Sequence, residues 1–171
     1  MQSAGGWLYD RVMAGLGGDR AATAQLRYPV AADLRGRGIG PGVRVRRDGL
    51  DDRDTASKAE FCASPAFDGE AADLMWRYYL GSASGSAAAV PARRNGLAGL
   101  PPALIMCAEI DPFRDEAVDY ALQLLRARVS TELHVFPHTC HGFDSLLPDW
   151  STSERPFTLQ GQALRRVWHG A

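Results

Sequence analysis

The chain has 171 residues, 46% of them hydrophobic, enough for one well-packed domain and short for two. Its 19 basic and 20 acidic residues nearly cancel, so no global field recruits nucleic acid or an anionic membrane, and no apolar stretch approaches membrane-spanning length. Cys62, Cys107 and Cys140 are an odd number without paired spacing, which argues against a disulfide framework and for a reducing, cytoplasmic compartment. The opening from Met1 to Trp7 has neither a basic region nor an apolar core, so no targeting signal is expected there.

From Trp7 to Leu16 the apolar positions Trp7, Leu8, Val12, Met13 and Leu16 recur at three- and four-residue intervals, predicting a helix stopped by Gly17 and Gly18. Gln25 to Val30 reads as a short strand with Pro29 at its end or edge, and the Gly-rich run from Gly36 to Gly42 breaks regular structure. Arg44, Arg46 and Arg47 form a basic cluster, but Asp48, Asp51, Asp52 and Asp54 follow closely. A solvated mixed-charge loop is therefore expected in place of a phosphate site. Ser64 to Glu70 resembles a helix-initiating turn. Ala71, Leu74, Met75, Tyr78 and Tyr79 around Trp76 then predict an amphipathic helix ending near Gly81, with its aromatics packed inward.

Ser82 to Ala89 is small and polar, as in a loop. After Pro101 and Pro102, the unbroken apolar run from Ala103 to Ala108 is expected of a parallel strand buried on both faces, and it leaves Asp111 just past its carboxyl end. Pro112 or Asp115 can open the next helix, with Val118, Ala121, Leu122, Leu124 and Leu125 marking an apolar face up to Arg128. Thr131 to Pro137 alternates as a strand that ends at Pro137, ahead of His141, and His134 within it reads as a half-exposed sheet residue. The last segment has the composition of a surface helix whose regular part follows Pro156. Strand, helix, strand with polar residues beyond both strand ends describes an open α/β sheet, whose chemistry gathers at the strand carboxyl ends.

A serine hydroxyl is a poor nucleophile until a base removes its proton, and that base must be held in one tautomer by an acid. Ser3, His141 and Asp111 are the candidates for nucleophile, base and acid. A nucleophilic serine on a sharp strand-to-helix turn needs small neighbours, which Ala4, Gly5 and Gly6 supply, and the Ala4 N–H can face a developing oxyanion. Cys140 beside His141 suggests a cysteine nucleophile less well, because adjacent residues on a strand exit point apart. His138, Cys140 and His141 lack a second cluster at zinc-ligand spacing, so Cys140 reads as a packing residue.

Leu100-Pro101-Pro102-Ala103-Leu104-Ile105, Glu109-Ile110-Asp111-Pro112-Phe113-Arg114-Asp115-Glu116, Glu132-Leu133-His134-Val135-Phe136 and His141-Gly142-Phe143 resemble the carboxyl half of hormone-sensitive-lipase-type esterases, a branch of the α/β-hydrolases. Ser3-Ala4-Gly5-Gly6 is similar to the end of that branch's Gly-Asp-Ser-Ala-Gly-Gly elbow. The resemblance implies Ser3 as nucleophile, Asp111 as triad acid, His141 as general base and Ala4 as an oxyanion donor, acting on a small-molecule acyl ester without cofactor or metal.

Relatives of that branch carry, ahead of the elbow, several strands and a His-Gly-Gly-Gly loop; here Met1 stands where the elbow's first glycine belongs and Gln2 where its acidic residue sits. The expectation is thus a partial α/β-hydrolase: a single truncated domain over 1–171, a mainly parallel sheet of about three strands flanked by helices, and an inserted helical and loop segment at about 36–100. Without a neighbour, the strand at Gln25 to Val30 would present a pairing edge, so a homo-oligomer or a missing amino-terminal half is the expected partner there. The alternative to an esterase is a catalytically silent hydrolase-like fragment that binds or pairs with another polypeptide.

Overall fold

The computed structural model describes residues 44–46, 49–81 and 89–169. The chain divides into compact units at 1–40 and 41–171, and every described residue belongs to the second. The helix expected at Trp7 to Leu16, the strand at Gln25 to Val30, the Gly-rich run and all but the last residue of the loop from Ser82 to Ala89 lie outside the described residues, as do Ser3 and Ala4.

The described part holds a parallel three-stranded sheet in the order β1 (Arg44–Arg46), β2 (Ala103–Ile110), β3 (Thr131–Cys140). Its helices are α1 (Ala56–Glu60), α2 (Gly69–Leu80), α3 (Arg114–Arg126), α4 (Phe143–Leu146) and α5 (Ser151–His169). β2 accounts for the layering. Ala103, Ile105 and Cys107 pack with Ala117, Tyr120, Ala121 and Leu124 of α3 on one face. Leu104, Met106 and Ala108 pack with Phe136, Phe143 and Ala163 on the other. A strand buried on both faces needs apolar residues at every position, which is why its run is unbroken.

Six expectations need correction. The first residues of the charged stretch read as a loop, Arg44 to Arg46, form β1, whose backbone pairs in register with β2 from Arg44 opposite Ala103 to Arg46 opposite Ile105; main-chain hydrogen bonding recruits it with Val45 as its one apolar residue. The same charged region forms α1, capped by the Thr55 hydroxyl accepting from the Lys58 N–H at 3.3 Å. In α2, capped by Asp68 accepting from Ala71 N–H, the buried positions are Gly69, Ala72 and Trp76, while Tyr78 is 63% exposed. The inner face of α3 is Ala117, Tyr120, Ala121 and Leu124, a full i, i+3, i+4, i+7 set, and Leu122 and Leu125 face outward. Helix α5 begins at Ser151, five residues ahead of Pro156; a proline this early removes a bond to one carbonyl in the opening turn, and Pro156 itself is fully buried.

The correction with most bearing on function concerns β3. It does not stop at Pro137 but runs to Cys140 through an irregularity. Ala108 pairs with Phe136 and Ile110 with Cys140, so two steps on β2 match four on β3, and two extra residues bulge from β3. Pro137 lacks the N–H a regular ladder would use, and a bulge is where that deficit is tolerated. His138 in the bulge has φ of 59°, and its N–H donates to Glu109 Oε2 at 2.6 Å. Thr139, buried, donates its hydroxyl to the Phe136 carbonyl at 2.8 Å.

Candidate active site

The bulge returns Cys140 to register opposite Ile110, so the next residue on each strand, His141 and Asp111, emerges side by side at the carboxyl end of the sheet. His141 Nδ1 lies 3.0 Å from Asp111 Oδ2. The Asp111 side chain is 4% exposed and that of His141 22%. Asp111 Oδ1 accepts from the Phe113 N–H at 2.9 Å, an Asx turn that fixes the carboxylate's rotation and reserves Oδ2 for the histidine. A carboxylate acceptor puts the ring proton of a neutral imidazole on Nδ1 and the basic lone pair on Nε2.

Two aromatic rings hold the imidazole from the sides. The Phe67 ring centroid is 4.7 Å from that of His141 with planes 33° apart, and Phe113 meets it edge-on at 5.5 Å and 73°. Gly142, at φ 70°, turns the chain from His141 into α4, a conformation costly for other residues. A cavity of 170 Å³ opens beside the pair, lined in part by Asp111, His141, Gly142, Phe143 and Ser145.

The described cysteines are free thiols. Burial pushes Cys107, which also lines the cavity, up to about 12, and burial likewise raises Cys140. Both therefore hold their protons at neutral pH and make poor nucleophiles. His134 pairs with Glu132 at 2.7 Å on the sheet, as expected of a half-exposed strand residue, with its side chain 30% exposed.

Of the four site residues read from sequence, Asp111 and His141 are thus brought together, and Ser3 and Ala4 lie outside the described residues. Phe67 and Phe113, packed on His141, and Ser57, bonded to Pro112 and Asp115 beside the pair, have no site role in the sequence reading. Phe113 sits within the Asp111 block and carries a signal by proximity; Phe67 belongs to a helix-initiating turn and Ser57 to a charged stretch, and neither pattern points to a histidine.

The sequence profile of the alpha/beta hydrolase fold family matches residues 2–145. Among curated proteins, esterase LipI of Mycobacterium tuberculosis strain H37Rv is 35% identical over 122 residues, 70% of this chain and 38% of LipI. Among solved structures, the crystal structure of esterase LipW from Mycobacterium marinum is 55% identical with a TM-score of 0.72, covering 85% of this chain and 46% of LipW. Brefeldin A esterase, a bacterial homologue of human hormone sensitive lipase, is 28% identical with a TM-score of 0.57, covering 66% of this chain and 33% of that one. The chain belongs to the α/β-hydrolase fold family, and its resemblance is to the hormone-sensitive-lipase-type branch. It spans less than half the length of each of these relatives.

Proposed function

We propose that the chain carries the nucleophile, acid and base of a carboxylesterase-type serine hydrolase: Ser3, Asp111 and His141. The observation that carries this reading is the 3.0 Å contact of His141 Nδ1 with a buried Asp111 carboxylate at the ends of two adjacent parallel strands. Esterases among the relatives support the reaction class. In this reading His141 Nε2 takes the Ser3 hydroxyl proton as Oγ attacks the ester carbonyl, and the tetrahedral oxyanion accepts from the Ala4 N–H. Collapse expels the alcohol, which receives the proton from His141; water, deprotonated by the same nitrogen, then releases the acid. Asp111 holds the ring and stabilises the imidazolium throughout.

This chemistry calls for a small acyl ester and no metal or organic cofactor. Residues 1–171 are read as part of one hydrolase domain with an inserted segment at about 36–100, supported by a family match that runs across both compact units. The free thiols support a reducing cytoplasmic location, and no described helix is long and apolar enough to cross a membrane.

Hydrolysis of a short-chain p-nitrophenyl ester tests the assignment. The wild-type chain is expected to turn over and Ser3→Ala to fall by roughly three orders of magnitude or more. An undiminished Ser3→Ala rate overturns the triad. A wild type without hydrolysis points instead to a silent module.

A further inference from the structure

Helix α3 starts three residues after Asp111 and has no cap of its own, since Phe113 at the N-cap position offers no hydrogen-bonding side chain. The first N–H groups of a helix need acceptors. Ser57, from α1 and 58 residues away, provides one: the Asp115 N–H donates to Ser57 Oγ at 3.2 Å. In return the Ser57 N–H donates to Asp115 Oδ2 at 2.8 Å, so the exchange has the reciprocity of a capping box made between distant segments. The Ser57 hydroxyl proton goes to the Pro112 carbonyl at 2.9 Å. With its one proton so used, Ser57 Oγ can only accept from the Thr55 hydroxyl, 3.1 Å away. One donation and two acceptances saturate a hydroxyl, and Ser57 is fully buried.

The bonds within the acid loop itself are short-range: Phe113 N–H to Asp111 Oδ1, and Arg114 N–H to the Asp111 carbonyl at 3.0 Å. They set the shape of the loop but not its position relative to His141. The Pro112 carbonyl and the Asp115 N–H flank that loop's downstream side, and Ser57 grips both. We propose that Ser57 is a positioning residue for the acid–base pair: by bonding Pro112 and Asp115 it fixes the loop so that Asp111 Oδ2 stays against His141 Nδ1. The catalytic consequence rests on the esterase reading above; the geometric one does not. A buried serine is worth its desolvation only when every bond is made, which makes this site sensitive to loss of one oxygen.

The test compares wild type with Ser57→Ala and Ser57→Thr in the full chain. The His141 Nδ1 proton is followed as a low-field NMR resonance, assigned by its loss in His141→Ala. Expected are a protected resonance in wild type, water exchange at least about tenfold faster in Ser57→Ala, and recovery in Ser57→Thr, which keeps the hydroxyl. Ester hydrolysis should lose about tenfold in kcat in Ser57→Ala with KM within about twofold, because positioning acts on the transition state. An unprotected wild-type proton, unchanged exchange in folded Ser57→Ala, or a KM effect at constant kcat overturns the proposal. Should Ser57→Ala fail to fold, Ser57→Cys, whose thiol is a far weaker donor and acceptor at the same position, is read the same way. Faster exchange there supports the proposal and unchanged exchange overturns it. A wild type with a protected proton but no hydrolysis overturns the esterase reading alone.

Discussion

The strand pair β2–β3 and the segment 49–81 approach the same histidine by different means. β2 and β3 present Asp111 and His141 through backbone pairing, adjusted by a two-residue bulge. The segment 49–81 arrives through ties that each use a side chain: Ser57 on Pro112 and Asp115, the Glu116 carboxylate accepting from the Leu50 and Asp51 backbone N–H groups at 2.9 and 3.1 Å, and Phe67 on the imidazole. A backbone ladder sets which residues emerge together. The side-chain ties decide how firmly one of those residues is held afterwards, and each depends on a single group that substitution can remove.

That contrast can be broken at either end. Asp111→Asn keeps the shape of the strand pair but leaves the imidazole without its charged acceptor. Ester hydrolysis is expected to fall about 10⁴-fold with the free energy of urea unfolding unchanged to within about 1 kcal/mol, since its cost is tautomer and charge, not packing. A loss of activity matched by unfolding would place Asp111 in the scaffold instead.

Gly69→Ala attacks the other region. A Cβ at Gly69 would lie 2.5 Å from the Lys58 backbone carbonyl oxygen, so the start of α2 must move away from α1. Denaturation should show a loss of about 1–3 kcal/mol. If 49–81 does buttress the acid loop, the His141 Nδ1 proton should exchange faster in the same variant even where the fold persists.

Glu116 gives a pH-dependent version of the same question. Burial pushes its carboxyl from 4.5 up to about 8, against the pull of the Leu50 and Asp51 N–H groups and of Lys58. The folded state therefore holds a proton that the unfolded state has released. The stabilisation from this group is complete below about 4.5 and is lost as pH rises through about 8. Comparing the urea midpoints of wild type and Glu116→Gln between these limits should show wild type declining more steeply. Parallel profiles would contradict the proton assignment. The smallest effect is expected at Glu109, whose exposed carboxylate receives the His138 N–H. Glu109→Ala should lower hydrolysis only about threefold by loosening the bulge.

The same contrast explains what could be read from the residues alone. The run from Ala103 to Ala108 and the Asp that follows it, or the alternation after Thr131 and the histidine in its loop, are local patterns, and local patterns report strands and their ends. The bulge at Pro137 and His138 was hidden because register belongs to two strands at once; proline alone suggested a stop. Helix α1 was hidden because the bonds that give Ser57 its meaning go to residues 55 and 58 positions away, and nothing within Ala56 to Glu60 announces them. On α2 and α3 the helices were legible but their faces were rotated, Tyr78, Leu122 and Leu125 facing outward, because several apolar residues on each helix compete for the inner stripe and tertiary packing chooses among them.

Covalent labelling most directly tests the proposal that the Asp111–His141 pair activates Ser3. After treatment with a fluorophosphonate, peptide mass spectrometry of the wild type should find the adduct on Ser3, and His141→Ala should leave Ser3 unlabelled under the same conditions. An adduct on another residue, or Ser3 labelled equally with and without His141, would contradict the proposed triad.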